Sequence, residues 1–404
     1  MASTTSPSQP EAAVERPAPA ARERPPNVAV RRVGFIAPPY VTTTMTLGQA
    51  QHTVFGLEDK VTANGASPPM MQRAGVLAEL PGLVRDLGGD TAAVFEGSGL
   101  EHDELAPETR LPFRVLVSIL HRAALATGSP HLGLLLGQRF TLEHHGMIGA
   151  LMSRAPTLHH ALLDFVAWQP GYSSGAIVYL NRMGEDLAFG YGALDQVSSG
   201  TTQLYDCVVA IGITMVHQLT GGRVTPVEAH FSRSQPANAA SYGRLLRIPA
   251  RFNQSQTCLI LDGASAGTKL ASADADLHRQ ALENIEHAMQ QRLGGTAQRV
   301  RHTLRPMLCT GDIAMDTAAS RLGLHPRTLR RRLSEEGLTF EDIRDQMRFT
   351  IARELLEMTD LRIGDISQAV ALASPGVFAE TFCRWSGMTP TRWRQQAASR
   401  MASG

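Results

Sequence analysis

TAASRLGLHPRTLRRRL, residues 317–333, decides the fold of the C-terminal part of this 404-residue chain. Ala319 stands four residues before Gly323, the glycine allows a tight turn, and Pro326 presets the backbone for a first helical turn. This is the spacing of a helix-turn-helix. In the second helix Leu329 and Leu333 share one face, while Arg327, Arg330, Arg331 and Ser334 spread over the opposite one at about 100° per residue. The leucines anchor the helix, and the arginines, with Thr328 beside them, face outward. An arginine face alone is ordinary solvated surface. On a helix that follows such a turn it becomes a reading face, because a guanidinium matches guanine O6 and N7 or a phosphate. Arg332 lies on the flank, where a phosphate contact or an i, i+4 pair with Glu336 is expected.

The pattern recurs. LTFEDIRDQMRFTIARELLEM (338–358) opens with Thr339 as a cap and Asp342 three residues on. At 1.5 Å per residue it runs about 28 Å, a stiff spacer. IGDISQAVALASPGVFAETFCRWSGMTPTRWR (363–394) then offers Ser374-Pro375 as a second cap and first turn, with Phe378 and Phe382 inward. Thr389-Pro390 opens a last helix. Major grooves on one side of a duplex repeat every ~34 Å, so two reading helices on such a spacer can enter from one side. Candidate DNA-contacting residues are therefore Arg327, Thr328, Arg330, Arg331 and Ser334 in the first unit, and Arg384 in the second.

Charge agrees locally. The whole chain carries a formal +1, yet residues 295–404 hold sixteen arginines against twelve carboxylates. Positive charge belongs to the C-terminal end. Lysine occurs only at Lys60 and Lys269, which reads as composition bias before chemistry.

AASRLGLHPRTLRRRLSEEG, RFTIARELLEMTDLRIGDIS and VFAETFCRWSGMTPTRWR resemble the DNA-binding domain of the AraC/XylS transcriptional regulators over about 299–396. Upstream, HLGLLLGQRF, GMIGALMSRAPTLHHALLDF and YGRLLRIPARFN resemble the arabinose-binding-type domain of the subgroup with ornithine-responsive and VirS-like regulators. The resemblance implies a transcription regulator, most simply an activator, that binds double-stranded DNA, contacts RNA polymerase, answers a small organic effector and forms a homodimer. It implies base or nearby backbone contacts at Arg327, Arg330 and Arg331, with Pro375, Gly376 and Glu380 in the matching places of the second unit. There the chain departs from the family, which usually has Arg where Glu380 stands and Gly-Phe where Ala371-Leu372 stand. A carboxylate repels phosphate and can accept only from a base donor such as cytosine N4, so the two heads are expected to be unequal.

The N-terminal part reads as α+β. PFRVLVSILHRAALATG (112–128) has buried-helix spacing, with Gly128 as a stop, and further helices follow at about 146–154 and 157–169. GAIVYLNRMGEDLAFGYG (175–192) alternates like a hairpin, turning at Gly184-Glu185-Asp186. A helix around 201–219, a strand near 224–232, a helix near 237–246 and the strand TCLILD complete the unit. The expected organisation is a disordered tail (1–38), a sensing and dimerising α+β domain (70–262), a linker helix (263–297) and an all-α domain with two helix-turn-helix units (298–400). Leu277, Ala281, Ile285 and Met289 give that linker helix an apolar stripe, for pairing with a second copy or for packing on its own domain.

Other chemical signals are weak. Cys207, Cys258, Cys309 and Cys383 make no C-x-x-C pair, which fits a reducing compartment and no zinc ribbon. No secretory signal core and no apolar run of about 20 residues is present, so a cytoplasmic protein without membrane contact is expected. GYSSG (171–175) matches a nucleophile elbow at Ser173, but a helix precedes and a strand follows, the reverse of what the elbow requires. A Ser173 hydrolase is the competing reading, and a dimeric regulator without an effector is another. His144-His145 and His159-His160 are adjacent pairs whose side chains diverge, so surface or cap roles are expected rather than metal binding. No cofactor is called for. Trp168, Tyr172, Tyr179 and Tyr191 cluster around the helix-to-hairpin transition and are candidates for an effector pocket, with core packing as the alternative.

Overall fold

The computed structural model describes Met1 and residues 70–193, 199–290 and 295–402; apart from Met1, the expected tail, 1–38, lies outside the described residues. Two short strands, β1 (Met71–Arg73) and β2 (Arg110–Pro112), pair antiparallel. The main sheet consists of β3 (Ala176–Met183), β4 (Asp186–Ala193), β5 (Glu228–His230), β6 (Ala250–Arg251) and β7 (Thr257–Leu261). Its order is β3-β4-β7-β5-β6, antiparallel except for the β5–β6 pair. The expected hairpin forms, but its turn is Gly184-Glu185 alone: Asp186 already belongs to β4 opposite Met183, and Gly184 at φ 67° has the left-handed geometry of a tight two-residue turn.

Helix Ser199–Thr220 packs on β7, and helices Phe113–Thr127 and Leu132–Gln138 pack on that helix. Gly133 and Gly137 of HLGLLLGQRF let two of them approach backbone to backbone: a Cβ at either position would strike the Gln203 or Cys207 carbonyl of Ser199–Thr220. Gln203 seals the contact, accepting a 2.7 Å hydrogen bond from the Gly133 amide.

The helix expected as a linker, observed at Ala275–Gln290, is part of this domain. It packs on Met147–Arg154, and Ile285, 2% exposed, joins the first core with Ala281 and Leu282 against it. Leu277 points to solvent. Of its stripe, Ala281 and Ile285 pack on their own domain, against the apolar surface of the neighbouring helix.

The C-terminal domain is all helix: Thr296–Thr310, Met315–Arg321, Pro326–Glu335, Phe340–Met358, Ile363–Ala369, Pro375–Ser386 and Pro390–Ala402. Leu329, Leu333, Phe378 and Phe382 are fully buried in one core with Ile343, Ala352 and Leu355 of the spacer helix Phe340–Met358. Thr339 and Asp342 make the expected reciprocal cap on that spacer, with hydrogen bonds of 3.1 and 3.0 Å. Glu336 does not pair with Arg332. It reaches across to the start of Thr296–Thr310 and accepts the Thr296 and Ala297 amides at 2.5 and 2.9 Å. A helix N-terminus offers unpaired donors and positive dipole, which outcompetes one flanking guanidinium. Burial opposes ionisation of Glu336, but these amide bonds prevail and hold its carboxyl below the ordinary range.

The two domains share the β3–β4 hairpin. Val178, Phe189 and Leu187 belong to the first core, whereas Ile177 and Tyr179 belong to the core of the helical domain. Thr296–Thr310 also rests on helix Leu158–Trp168. Among the described residues no helix is long and apolar enough to cross a membrane.

Candidate nucleic-acid interface and effector cavity

His325 precedes Pro326–Glu335 as its cap, its ring Nδ1 accepting the Arg327 amide at 3.2 Å, and Gly323 at φ 65° makes the turn from Met315–Arg321. With Leu329 and Leu333 turned in, Arg327, Arg330, Arg331 and Ser334 are exposed and Thr328 is half-buried. Arg331 meets Glu335 one turn on at 2.6 Å. That pair is more than half exposed, so it is worth well under about 1 kcal/mol and is easily surrendered to a phosphate or a base.

The second unit repeats the design with one irregularity. Its turn residue is Ala371, whose φ of 52° puts a Cβ where Gly323 has none. The amide of Ala371 bonds the Gln368 carbonyl as that of Gly323 bonds Ser320, and Arg348 ties the Ala371 carbonyl at 3.1 Å. Ser374 caps Pro375–Ser386 through the Val377 amide at 3.3 Å. Pro375, Gly376, Glu380 and Arg384 are all exposed, with Arg384 3.9 Å from Asp345 of the spacer. Phe349 of the spacer stacks among Phe382, Trp385 and Trp393, which fixes the second reading helix to the same rod as the first.

The first domain holds a cavity of about 110 Å³. Its walls are the inner face of the hairpin (Val178, Phe189, Tyr191), helix Phe113–Thr127 (Leu116, Leu120) and helix Ser199–Thr220 (Leu204, Cys207, Met215). Of the four aromatic candidates, Tyr172 and Tyr191 line it. Trp168 is buried in the surrounding core without reaching the cavity. Tyr179 is on the other side of the sheet, donating to Gln256 Oε1 at 3.0 Å, because successive strand residues face opposite ways.

The sequence reading missed His145. His144 does act as a cap, its Nδ1 accepting the Thr141 amide at 2.9 Å, but neither ring of the pair is at the surface. His145 is 4% exposed and lines the cavity. Its ring lies 4.7 Å from Phe165, 4.8 Å from Phe140 and 5.0 Å from Tyr172. Burial above all, with Arg73 and His144 nearby, pushes its pKa down to about 3. The signal was available: adjacent side chains diverge, so if one histidine caps, its neighbour turns inward. His160 instead pairs with Thr157 Oγ1 at 2.8 Å on an exposed turn, and His159 is half-buried beside it. Ser173 is buried between the turn Gln169–Gly171 and β3, its Oγ accepting the Gly175 amide at 3.3 Å, which is not the exposed strand-to-helix reversal a nucleophile needs. Among the described residues no cluster of His, Cys, Asp or Glu could hold a metal ion.

Across the hairpin from the cavity, Gly190 lies against the Tyr179 ring and Gly192 against the Met358 carbonyl at the end of the spacer helix; neither site has room for a Cβ. A second cavity of about 180 Å³ separates this outer face from Leu308, Ile351 and Leu355 of the helical domain.

Known protein families match two parts of this chain. Residues 88–270 match the N-terminal arabinose-binding domain of AraC transcription regulators, and residues 318–396 match a helix-turn-helix domain. The chain is similar to the HTH-type transcriptional regulator VirS of Mycobacterium tuberculosis, 26% identical over 77% of this chain and 93% of that protein. It is similarly close to the ornithine utilization regulator of Pseudomonas aeruginosa, 25% identical over 78% and 93%. The crystal structure of transcriptional regulator CdpR from Pseudomonas aeruginosa aligns with a TM-score of 0.39 at 21% identity, covering 70% of this chain and 93% of that one.

Proposed function

Because this chain belongs to the AraC family of transcription regulators, a DNA-binding family and not an enzyme, we propose that it binds a small molecule in the first domain and couples that event to how its two reading helices meet DNA. The observation that carries this reading is the shared hairpin, with cavity residues Val178, Phe189 and Tyr191 on one face and Ile177, Tyr179 and Gly192 against the helical domain on the other. A ligand that favours one seating of the strands shifts the population of spacer-helix positions, by no more than its differential affinity for them. The neighbouring cavity of about 180 Å³ leaves slack for such a shift.

In this reading Arg327, Thr328, Arg330, Arg331 and Ser334 contact one major groove, and Pro375, Gly376, Glu380 and Arg384 the next. Tyr172 and Tyr191 contact the effector. The working form is a cytoplasmic homodimer that activates transcription through RNA polymerase; these points rest on family resemblance and are tested by sedimentation and by transcription in vitro. The primary test is footprinting on the DNA flanking the protein's own gene, with and without a small-molecule extract of its cells. Protection of two grooves on one side of the duplex, altered by the extract, supports the proposal. Protection that ignores every extract reduces the protein to a ligand-independent regulator.

A further inference from the structure

We propose that the cavity of the first domain takes an uncharged, largely apolar small molecule carrying one carbonyl or hydroxyl group, which hydrogen-bonds the His145 imidazole, and that it rejects carboxylates, amino acids and free sugars. The inference rests on the reading above that this cavity is the effector site.

Charge is the first argument. Among the described residues, no Asp, Glu, Lys or Arg lines the cavity. Arg73, which is not among the liners, lies 5.2 Å from the Tyr172 ring centroid, donates to the His145 carbonyl at 3.5 Å and is paired with Glu108. A buried ion without a partner carries a large desolvation penalty, so a carboxylate or ammonium ligand has nothing here to offset it.

Hydrogen-bonding capacity is the second. Among the polar liners, Gln169 Nε2 donates to the Ala176 carbonyl, Gln72 Nε2 to the Arg73 carbonyl, and Thr257 Oγ1 accepts the Ser232 amide. Among the described residues, what remains is the His145 ring, with no partner on either nitrogen, the hydroxyls of Tyr172 and Tyr191, and the amide oxygens of Gln72 and Gln169. A sugar has more hydroxyls than this set can satisfy, and each one left over in an apolar wall opposes binding.

The third is the state of His145. A buried polar group without a partner calls for an explanation, and a ligand atom supplies one. Phe140, Phe165 and Tyr172 surround the ring, which therefore cannot swing to solvent. Burial keeps it neutral, so it offers one donor and one acceptor rather than a charge. A carbonyl takes the donor, and a hydroxyl can use either.

The test is calorimetry and thermal shift on the full chain with six probes: ethylbenzene, 1-octanol, 2-octanone, octanoate, arabinose and ornithine. The first three should bind and raise the melting temperature, and the last three should not. His145→Phe should weaken 1-octanol and 2-octanone about tenfold while leaving ethylbenzene, which needs no hydrogen bond, unchanged. Retained ethylbenzene binding also shows that the variant folds. Leu204→Phe, which fills the cavity, should abolish all three. Equal weakening of the three by His145→Phe, tighter binding of octanoate, arabinose or ornithine, or no binding by any probe overturns the ligand class. Footprinting separates this from the functional reading. If octanol binds through His145 yet leaves DNA protection unchanged, the ligand class stands and the effector role fails. If arabinose or ornithine alters protection and Leu204→Phe removes the effect, the effector role stands and the ligand class fails.

Discussion

At the scale of single residues, two positions carry unfavourable terms that can be measured. His145 is held neutral with a pKa of about 3 by burial, against about 6.5 in an unfolded chain. Between those values the unfolded state binds the proton and the folded state does not, so this contribution is complete above about pH 6.5 and is lost as pH falls. From pH 7 to pH 5 the loss from this one group is about 2 kcal/mol. His145→Phe should therefore shrink the pH 5 to pH 7 difference in urea unfolding by about that amount; an undiminished difference would place the ring in water. Ala371, at φ 52°, occupies a turn that favours glycine. Ala371→Gly should raise stability by roughly 0.5–1 kcal/mol, the relief of left-handed strain less the added freedom of the unfolded chain. A lower melting temperature would show that the turn relaxes around the methyl group.

At the scale of elements, the reading helices differ in what they present. Pro326–Glu335 exposes Arg327, Arg330 and Arg331, whereas Pro375–Ser386 exposes Glu380 with Arg384. Arg331→Ala should weaken operator binding by ~1–3 kcal/mol at fixed salt, and Glu380→Ala should leave it equal or tighter, because removing a carboxylate relieves repulsion from phosphate. Equal losses in a titration by fluorescence anisotropy would make the two heads equivalent. Glu336 belongs to this scale too, since it caps another helix. Glu336→Ala should cost about 1 kcal/mol by thermal unfolding, as the amides of Thr296 and Ala297 lose their acceptor.

For the whole molecule the consequence lies in the two-faced hairpin. Gly192 lets Met358, the last residue of the spacer helix, rest on β4. Gly192→Val should push the helical domain off the sheet while leaving the cavity face unchanged. Ligand binding by calorimetry should then persist, and the dependence of DNA protection on ligand should disappear. Ligand-dependent protection in that variant would mean that the signal travels by another route, such as the contact of Thr296–Thr310 with Leu158–Trp168.

The sequence by itself determined the local pieces. Turn glycines, helix-starting prolines, the Thr339–Asp342 cap and the leucine and phenylalanine pairs are signals confined to a few consecutive residues, where backbone sterics and side-chain spacing act without help from elsewhere. It also set the alternation of the hairpin, but the turn expected at Gly184-Glu185-Asp186 would have put Tyr179 and Tyr191 on one face, and the observed register, with Met183 opposite Asp186, separates them. Only the tertiary structure decided that His145 is a cavity wall, that Glu336 caps a distant helix, that Ala275–Gln290 folds onto its own domain and that Gly192 seats the spacer. Each of these depends on groups far apart in the chain competing for the same donor or the same apolar surface, and that competition is settled only when packing brings them within reach.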